Sequence, residues 1–596
     1  MKKFLLALVI LLLLFPKYAF AQNFLVSSEV TYEILEAGKV VVEQAISITN
    51  SETEVQATDF TLSLVGSRPE GITVSGESGT LPSRVEKDGD ITKIRVVFDE
   101  AVVGQGAKRE FSIKYTDQSL VKNTGEITEV VVPRLVDADT YSSYLVRLKV
   151  PQSFGNPAYI SPDPDTELST AGSTTYYFDK TDVNRAGVSA AFGVFQVYSF
   201  DLTYHLQNPL AYPTKMEIPL PPDTSYQKVY YNSLTPAPNN IGTDQDDNWI
   251  AVYNLGARER VDVRALGHAQ IFSSPWKLTP ISDSQKEASL LPSEYWQTDD
   301  PAIKELASSL HSPKEIYDYV VSTLSYNYDR VAEGTERLGA LSVLSDPKNA
   351  ICTEFTDLFI ALARASGIPA REVNGYAYTD NEVLQPLSLV ADVLHAWPEY
   401  WDIERRVWVP VDPTWEDTTG GTNYFDKLDM RHFAFVMHGA NPTEPTPPGS
   451  YKLGANPKKD VFVAVANLPE IMKRDLEVEI HQRTTLPFQG VKIVANIKNP
   501  GPAALYDQNI ELFFENDSKF QRSISTILPY ETRTLEFTMP YGIFGTEMPE
   551  RATLLVGTKK HEYATDKKPA IVRDVALITF FLTITGIGSY LILGRK

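Results

Sequence analysis

The chain has 596 residues, 43% hydrophobic and 22% charged, with a net charge of −21. That length exceeds what one hydrophobic core organises and requires several domains. The acidity argues against nucleic acid or anionic lipid headgroups as partners, and a single cysteine excludes an intramolecular disulfide.

Lys2 and Lys3 precede an apolar run from Phe4 to Phe15, and Ala19-Phe20-Ala21 forms a small-x-small cleavage site. The run is short for a membrane span, so residues 1–21 are expected to be a cleaved export signal. Without Lys2, Lys3 and Lys17 the chain carries 52 basic against 76 acidic side chains, a net −24 spread along its length, as suits a soluble surface. Val26-Ser-Ser-Glu-Val-Thr-Tyr-Glu-Ile-Leu, Lys39-Val-Val-Val-Glu-Gln-Ala-Ile-Ser-Ile-Thr and Thr92-Lys-Ile-Arg-Val-Val-Phe largely alternate apolar and polar residues. Glu36-Ala37-Gly38 is the expected turn between the first two. Short alternating runs broken by Gly, Pro, Asn and Asp predict β-sandwiches. Two are expected, at 22–133 and 134–275, divided near Pro133-Arg134-Leu135, the second including Val197-Tyr-Ser-Phe-Asp-Leu-Thr-Tyr.

The third domain, 276–441, begins with a polar connection to about Pro301, and helical patterning follows in Ile316-Tyr-Asp-Tyr-Val-Val-Ser-Thr-Leu. Its centre is a predicted helix with Cys352 in the first turn. Phe355, Leu358, Phe359, Leu362 and Ala363 give it a buried face, and Gly367 and Pro369 close it. A helix N-terminus supplies free N–H groups and a partial positive charge, which favour a thiolate and a developing oxyanion. Downstream, His395-Ala-Trp-Pro-Glu-Tyr-Trp and Val407-Trp-Val-Pro-Val-Asp412 are strand-like runs around polar Glu404-Arg405-Arg406, a hairpin pattern. His395 and Asp412 are an odd number of positions apart, so a turn with an even residue count puts both on one face. Cys352, His395 and Asp412 are thus the expected catalytic triad: nucleophile, general base, and the carboxylate that fixes the base's tautomer. Glu399, on the histidine strand, is the alternative carboxylate, although a solvent-facing position is the plainer expectation for it. Trp397, Trp401, Trp408 and Trp415 would wall an amine tunnel or simply fill the core.

These residues resemble the transglutaminase-like superfamily, with its papain-like cysteine fold. The resemblance rests on Cys352 opening a helix, Gly367-Ile368-Pro369-Ala370-Arg371, Gly375-Tyr376, His395-Ala396-Trp397 and Asp412-Pro413-Thr414, in that order, and spans roughly 303–439. It implies a Cys acyl-enzyme formed on peptide or protein amides and resolved by water or by an amine. A catalytically inactive peptide-binding or structural cell-surface protein is the alternative. Where the family usually has glycine before the cysteine, this chain has Asn349-Ala350-Ile351. The Cys352 backbone N–H is the expected oxyanion donor. Arg337 and Tyr326 are weaker candidates for a second, a surface ion pair and a core aromatic being the plainer readings. Nothing in the sequence requires an amine site, so hydrolysis is the expected outcome.

Beyond the triad, Thr418-Thr-Gly-Gly-Thr-Asn423 marks a turn, and Asp426, Asp429 and His432 are expected in a solvated loop with capping carboxylates. Their spacing matches no calcium loop, and neither metal nor cofactor is expected. A proline-rich linker at 442–460 precedes an immunoglobulin-like sandwich at 461–570, signalled by alternation in Gly490-Val-Lys-Ile-Val-Ala-Asn-Ile-Lys-Asn and Asn509-Ile-Glu-Leu-Phe-Phe. Residues 575–593 are uncharged and mostly apolar, long enough for one transmembrane helix. The whole is expected to be a single-pass cell-membrane protein: an α+β core flanked by all-β sandwiches outside the cytoplasm, meeting its peptide or protein substrate, and any cell-surface partners, there.

Overall fold

The computed structural model describes residues 23–593 except 36–37, 90, 279, 332–334, 380, 388–391, 393, 426–427, 455–457, 471–473, 485–490 and 516–517. The expected export signal, the turn residues Glu36 and Ala37, and Asp426 lie outside the described residues. Two compact units are present: Met1–Gly193 with Thr419–Asn423, and Val194–Thr418 with Tyr424–Lys596.

In the first unit, strand β1 (Phe24–Ile34) buries alternate side chains and pairs antiparallel with β2 (Val40–Asn50). β2 pairs in turn with β3 (Lys108–Asp117). The other edge of β1 pairs in parallel with β4 (Tyr141–Pro151), which continues to β5 (Ser173–Phe178) in an eight-stranded sheet. Phe60, Leu62, Ile94 and Val96 of a second, three-stranded sheet share one core with Val30, Val42, Ile113 and Val146. The expected division near residue 133 therefore falls inside one sheet. The β1–β4 pairing is distant in sequence, and local alternation carries no information about it.

The second unit opens with an antiparallel pair, β6 (Phe195–Gln207) and β7 (Arg260–Phe272). The strand Val461–Val465 adds to the free edge of β6, so the start of the expected 461–570 sandwich belongs to this earlier sheet. Helices α1 (Pro301–Ala307), α2 (Pro313–Thr323), α3 (Ala340–Ser345) and α4 (Cys352–Ala365) follow. Asp300 and Ser312 cap the first two, each ahead of a proline that needs no N–H partner. α4 is buried on all sides, beyond the one face that its periodicity predicts. Ile316, Tyr317 and Val320 of α2 and Phe355, Leu358, Phe359 and Leu362 of α4 share a core with Val407, Val409 and Val411.

A four-stranded antiparallel sheet completes this part: β8 (Ala370–Ala377), β9 (His395–Asp402), β10 (Val407–Pro410) and β11 (His432–His438), in the order β10-β9-β8-β11. β11 is at the sheet edge, and two buried side-chain amides satisfy its backbone. Gln227 bonds both N–H and C=O of Ala434 (2.8 and 3.0 Å), and Asn248 does the same for Met437 (2.7 and 2.8 Å). Beyond 470, a three-stranded and a four-stranded sheet bury Ile493, Ile497, Phe537, Ile510, Leu512 and Leu554 in one core. The helix Lys568–Leu593 ends the described chain. It is the one described helix long and apolar enough to cross a membrane, with mean hydropathy 1.8 over 568–587 and 6% of that window buried.

Candidate active site

α4 starts at Cys352, whose backbone N–H, first in the helix, has no carbonyl within the helix to bond. The approach is pinned by Glu354, fully buried, which accepts from the N–H of Ile351 (3.0 Å), the N–H of Leu338 (2.9 Å) and Arg330 (3.0 Å). A backbone bridge joins Tyr326 to Ala350, and Asn327 N–H donates to the Ala350 carbonyl (2.7 Å), which lays the 325–327 segment beside the turn into α4. The Tyr326 phenol oxygen is buried, has no hydrogen-bond partner among the described residues, and interacts electrostatically with Cys352.

The hairpin delivers His395 and Asp412 together. Asp402 pairs with Val407 across the 403–406 turn, and the register puts both candidate residues on one face. His395 Nε2 donates to Asp412 Oδ2 at 2.9 Å. Asp412 is not in a strand, as its apolar neighbours predict, but between β10 and helix α5 (Pro413–Thr419). Its Oδ1 accepts from the N–H groups of Thr414 (3.0 Å) and Trp415 (3.1 Å). The carboxylate is therefore divided: one oxygen caps a helix and the other faces imidazoles.

Cys352, His395 and Asp412 are all at 0% exposure. Burial pushes His395 down, but the Asp412 carboxylate and the Cys352 thiol carry it up to about 9. Burial raises Asp412, yet His395 and His432 hold its carboxyl well below the usual range. The thiol interacts with His395, while Nδ1, the nitrogen left for it, forms no aligned hydrogen bond. Such contacts often tighten only when substrate binds.

Aromatic walls fix the imidazole plane. Trp415 and Trp397 stack on His395 at centroid distances of 5.3 and 6.0 Å. Gly375 makes room for this: a Cβ there would lie 2.7 Å from the Trp397 ring and 2.2 Å from the Phe433 carbonyl oxygen. Trp401 and Trp408 instead pair with each other across the hairpin at 5.6 Å, with Arg371 over Trp408.

Three expectations are overturned. Glu399 is not solvent-facing but buried, accepting from Arg371 at 2.9 Å, because the helical layer and its neighbours cover both faces of β9. Arg337 is not a surface ion pair: it is largely buried, bound to Asp357 and Glu372 (3.1 Å) and to the Pro442 carbonyl (3.0 Å), and these fix it away from an oxyanion role. Asp429 and His432 are buried rather than solvated, because His432 opens β11 beside β8. His432 Nε2 donates to Asp412 Oδ2 at 3.1 Å, and its Nδ1 lies 3.4 Å from Asp429 Oδ1.

His395, Asp412 and His432 thus bring three ligand-type atoms within 4.8 Å. Both Nε2 atoms lie within hydrogen-bond distance of the same Asp412 oxygen, which links the three side chains in a hydrogen-bond chain. Of the other acidic group, Asp165, Asp179 and Asp182, the last two cap a helix.

The Transglutaminase-like superfamily profile matches residues 299–413. The protein-glutamine gamma-glutamyltransferase of Pseudomonas aeruginosa is 25% identical over 33% of this chain and 30% of its own. An uncharacterized protein of Mycobacterium tuberculosis is 30% identical over 19% of this chain and 38% of its own. The chain therefore spans well under half the length of these curated relatives. Among solved structures, a candidate cysteine protease from Cytophaga hutchinsonii is 17% identical (46% of this chain, 98% of that one, TM-score 0.26). The periplasmic domain of TgpA from Pseudomonas aeruginosa is 14% identical (37% and 90%, TM-score 0.22). Residues 299–413, which include the helix of Cys352 and the hairpin of His395 and Asp412, form a transglutaminase-like domain.

Proposed function

We propose that the chain is a membrane-anchored, extracytoplasmic thiol enzyme that forms a Cys352 acyl-enzyme on amide bonds of peptides or proteins. One observation carries this: a buried imidazole, His395, with the Asp412 carboxylate fixed at Nε2, its Nδ1 left without a hydrogen-bond partner among the described residues, and the buried Cys352 thiol interacting with the ring. His395 Nδ1 takes the thiol proton and Sγ attacks the amide carbon. The oxyanion is held by the Cys352 N–H and the Tyr326 phenol, the leaving amine takes the proton back, and a thioester remains. Water or a second amine, deprotonated by the same nitrogen, then releases the acyl group. The Pseudomonas relative's name supports a glutamine γ-amide as the acyl donor. The C-terminal helix supports membrane anchorage, and residues 1–21 as an export signal support an outside location.

The test offers a glutamine-rich protein with a fluorescent primary amine and scores amine incorporation, deamidation and chain cleavage. Any of the three should appear and vanish in Cys352→Ala. None appearing, with the thiol intact, would favour the alternative, a non-catalytic peptide-binding module. The full burial of Cys352 is what speaks for that alternative.

A further inference from the structure

The imidazole of His432 is enclosed by two carboxylates from different elements. Asp412, ahead of α5, accepts from Nε2 through Oδ2 at 3.1 Å, and Asp429, in the segment before β11, places Oδ1 3.4 Å from Nδ1, an ion-pair contact rather than an aligned hydrogen bond. A neutral imidazole would turn a lone pair toward one of these oxygens, so the enclosure suits a ring carrying both protons. His432 is fully buried, with the Trp397 and Trp415 rings at 4.9 and 4.6 Å and the His395 ring at 5.7 Å. Asp429 is braced in turn by Arg431, whose N–H donates to Oδ1 at 3.2 Å and whose guanidinium lies 3.8 Å from Oδ2. The edge strand that carries His432 is itself held by Gln227 and Asn248.

We propose that His432, held by Asp429, is a positioning residue that fixes Asp412 against His395, extending the relay to Cys352–His395–Asp412–His432–Asp429. The inference rests on the triad reading above and assigns two residues to it. His432 does two things in this arrangement. Its N–H locks the rotation of an oxygen that would otherwise have one partner. Its charge offsets part of the Asp412 field, which limits how tightly His395 holds its proton and favours the Cys352 thiolate. The charged and titratable groups facing it are Asp412, Asp429, His395, Cys352 through His395, and Arg431 through Asp429.

The test is the pH dependence of Cys352 alkylation by iodoacetamide in the full-length chain in detergent, comparing wild type, His432→Gln and Asp429→Asn. Removing the positive charge makes the thiolate harder to form and the imidazolium harder to lose. Both limbs of the profile should therefore move upward by about one pH unit in His432→Gln, and upward by less in Asp429→Asn, where the loss of the carboxylate that keeps His432 charged is partly offset by the loss of its own negative charge. Asp429→Asn leaves His432, Asp412 and His395 in place, so it stays informative if His432→Gln fails to fold. A merely structural role would lower stability without moving the limbs. Superimposable profiles for wild type and a folded Asp429→Asn would overturn the proposal while leaving the triad standing. A wild-type thiol no faster than free cysteine would remove the triad and this inference together.

Discussion

Replacing Asp412 with asparagine tests the divided carboxylate most sharply. Oδ1 accepts two backbone N–H groups at the start of α5, and Oδ2 accepts two imidazole N–H groups. Asparagine has one carbonyl oxygen and one NH2, and both halves cannot be kept. Turning the oxygen toward the imidazoles gives up a helix cap and points the NH2 at backbone donors, a loss of about 1 kcal/mol for the cap alone. Keeping the cap aims the NH2 at His395 Nε2, which must then accept, so the ring proton moves to Nδ1. No lone pair is left to take the Cys352 proton. By analogy with the same change in other triads, turnover should fall about 10⁴-fold, or about 5.4 kcal/mol of barrier. Cys352 is the only cysteine, so alkylation at pH 7 reads the site without ambiguity. The variant should keep its circular dichroism while its rate falls to that of a free thiol. A folded variant alkylated within threefold of wild type would refute the reasoning, and Glu399 could not rescue it, being committed to Arg371.

Three further outcomes follow from the same geometry. Tyr326→Phe should lower kcat about 100-fold with little change in KM, as expected for a lost oxyanion donor; unchanged steady-state kinetics would leave the phenol as packing. Arg337→Met strips the buried Asp357 and Glu372 of their cation and should cost roughly 3–5 kcal/mol in chemical denaturation, against nearly nothing for the exposed Arg95→Met. His395 and His432 are both raised from the ordinary histidine range to about 9. Their stabilisation is fully present below about pH 6.5 and is lost as pH rises through about 9. The thermal midpoint of the part that buries these two rings, followed by tryptophan fluorescence, should fall over that interval and fall less in His432→Gln.

What the sequence revealed was local. Cys352 with its i, i+3, i+4 apolar partners, Gly367 and Pro369 is a helix that needs no distant neighbour to be read, and the 403–406 turn sets the register of its own hairpin. Asp412-Pro413-Thr414 also carried a local signal, since an N-cap residue followed by proline starts a helix, but the preceding Val-Trp-Val-Pro-Val run draws the eye to a strand. His432 was not legible in the same way. Its role depends on β11 pairing with β8 and on side-chain amides from Gln227 and Asn248, far away in sequence. The available hint was the continuous run His432-Phe-Ala-Phe-Val-Met-His438, the pattern of a strand buried on both faces. The parallel partner of β1 was hidden for the same reason, because alternation specifies which face is buried and not which strand lies alongside.

The central claim is a covalent acyl group on Cys352, and it is tested directly by acid-quenched intact-mass spectrometry of the full-length chain mixed with a glutamine-containing peptide. A transient adduct on Cys352, equal to the peptide less ammonia, is expected in wild type. It should be absent in Cys352→Ala and should build up more slowly in Asp412→Asn. Amide turnover that persists in Cys352→Ala, or substrate binding with no adduct at any quench time, would contradict the thiol mechanism.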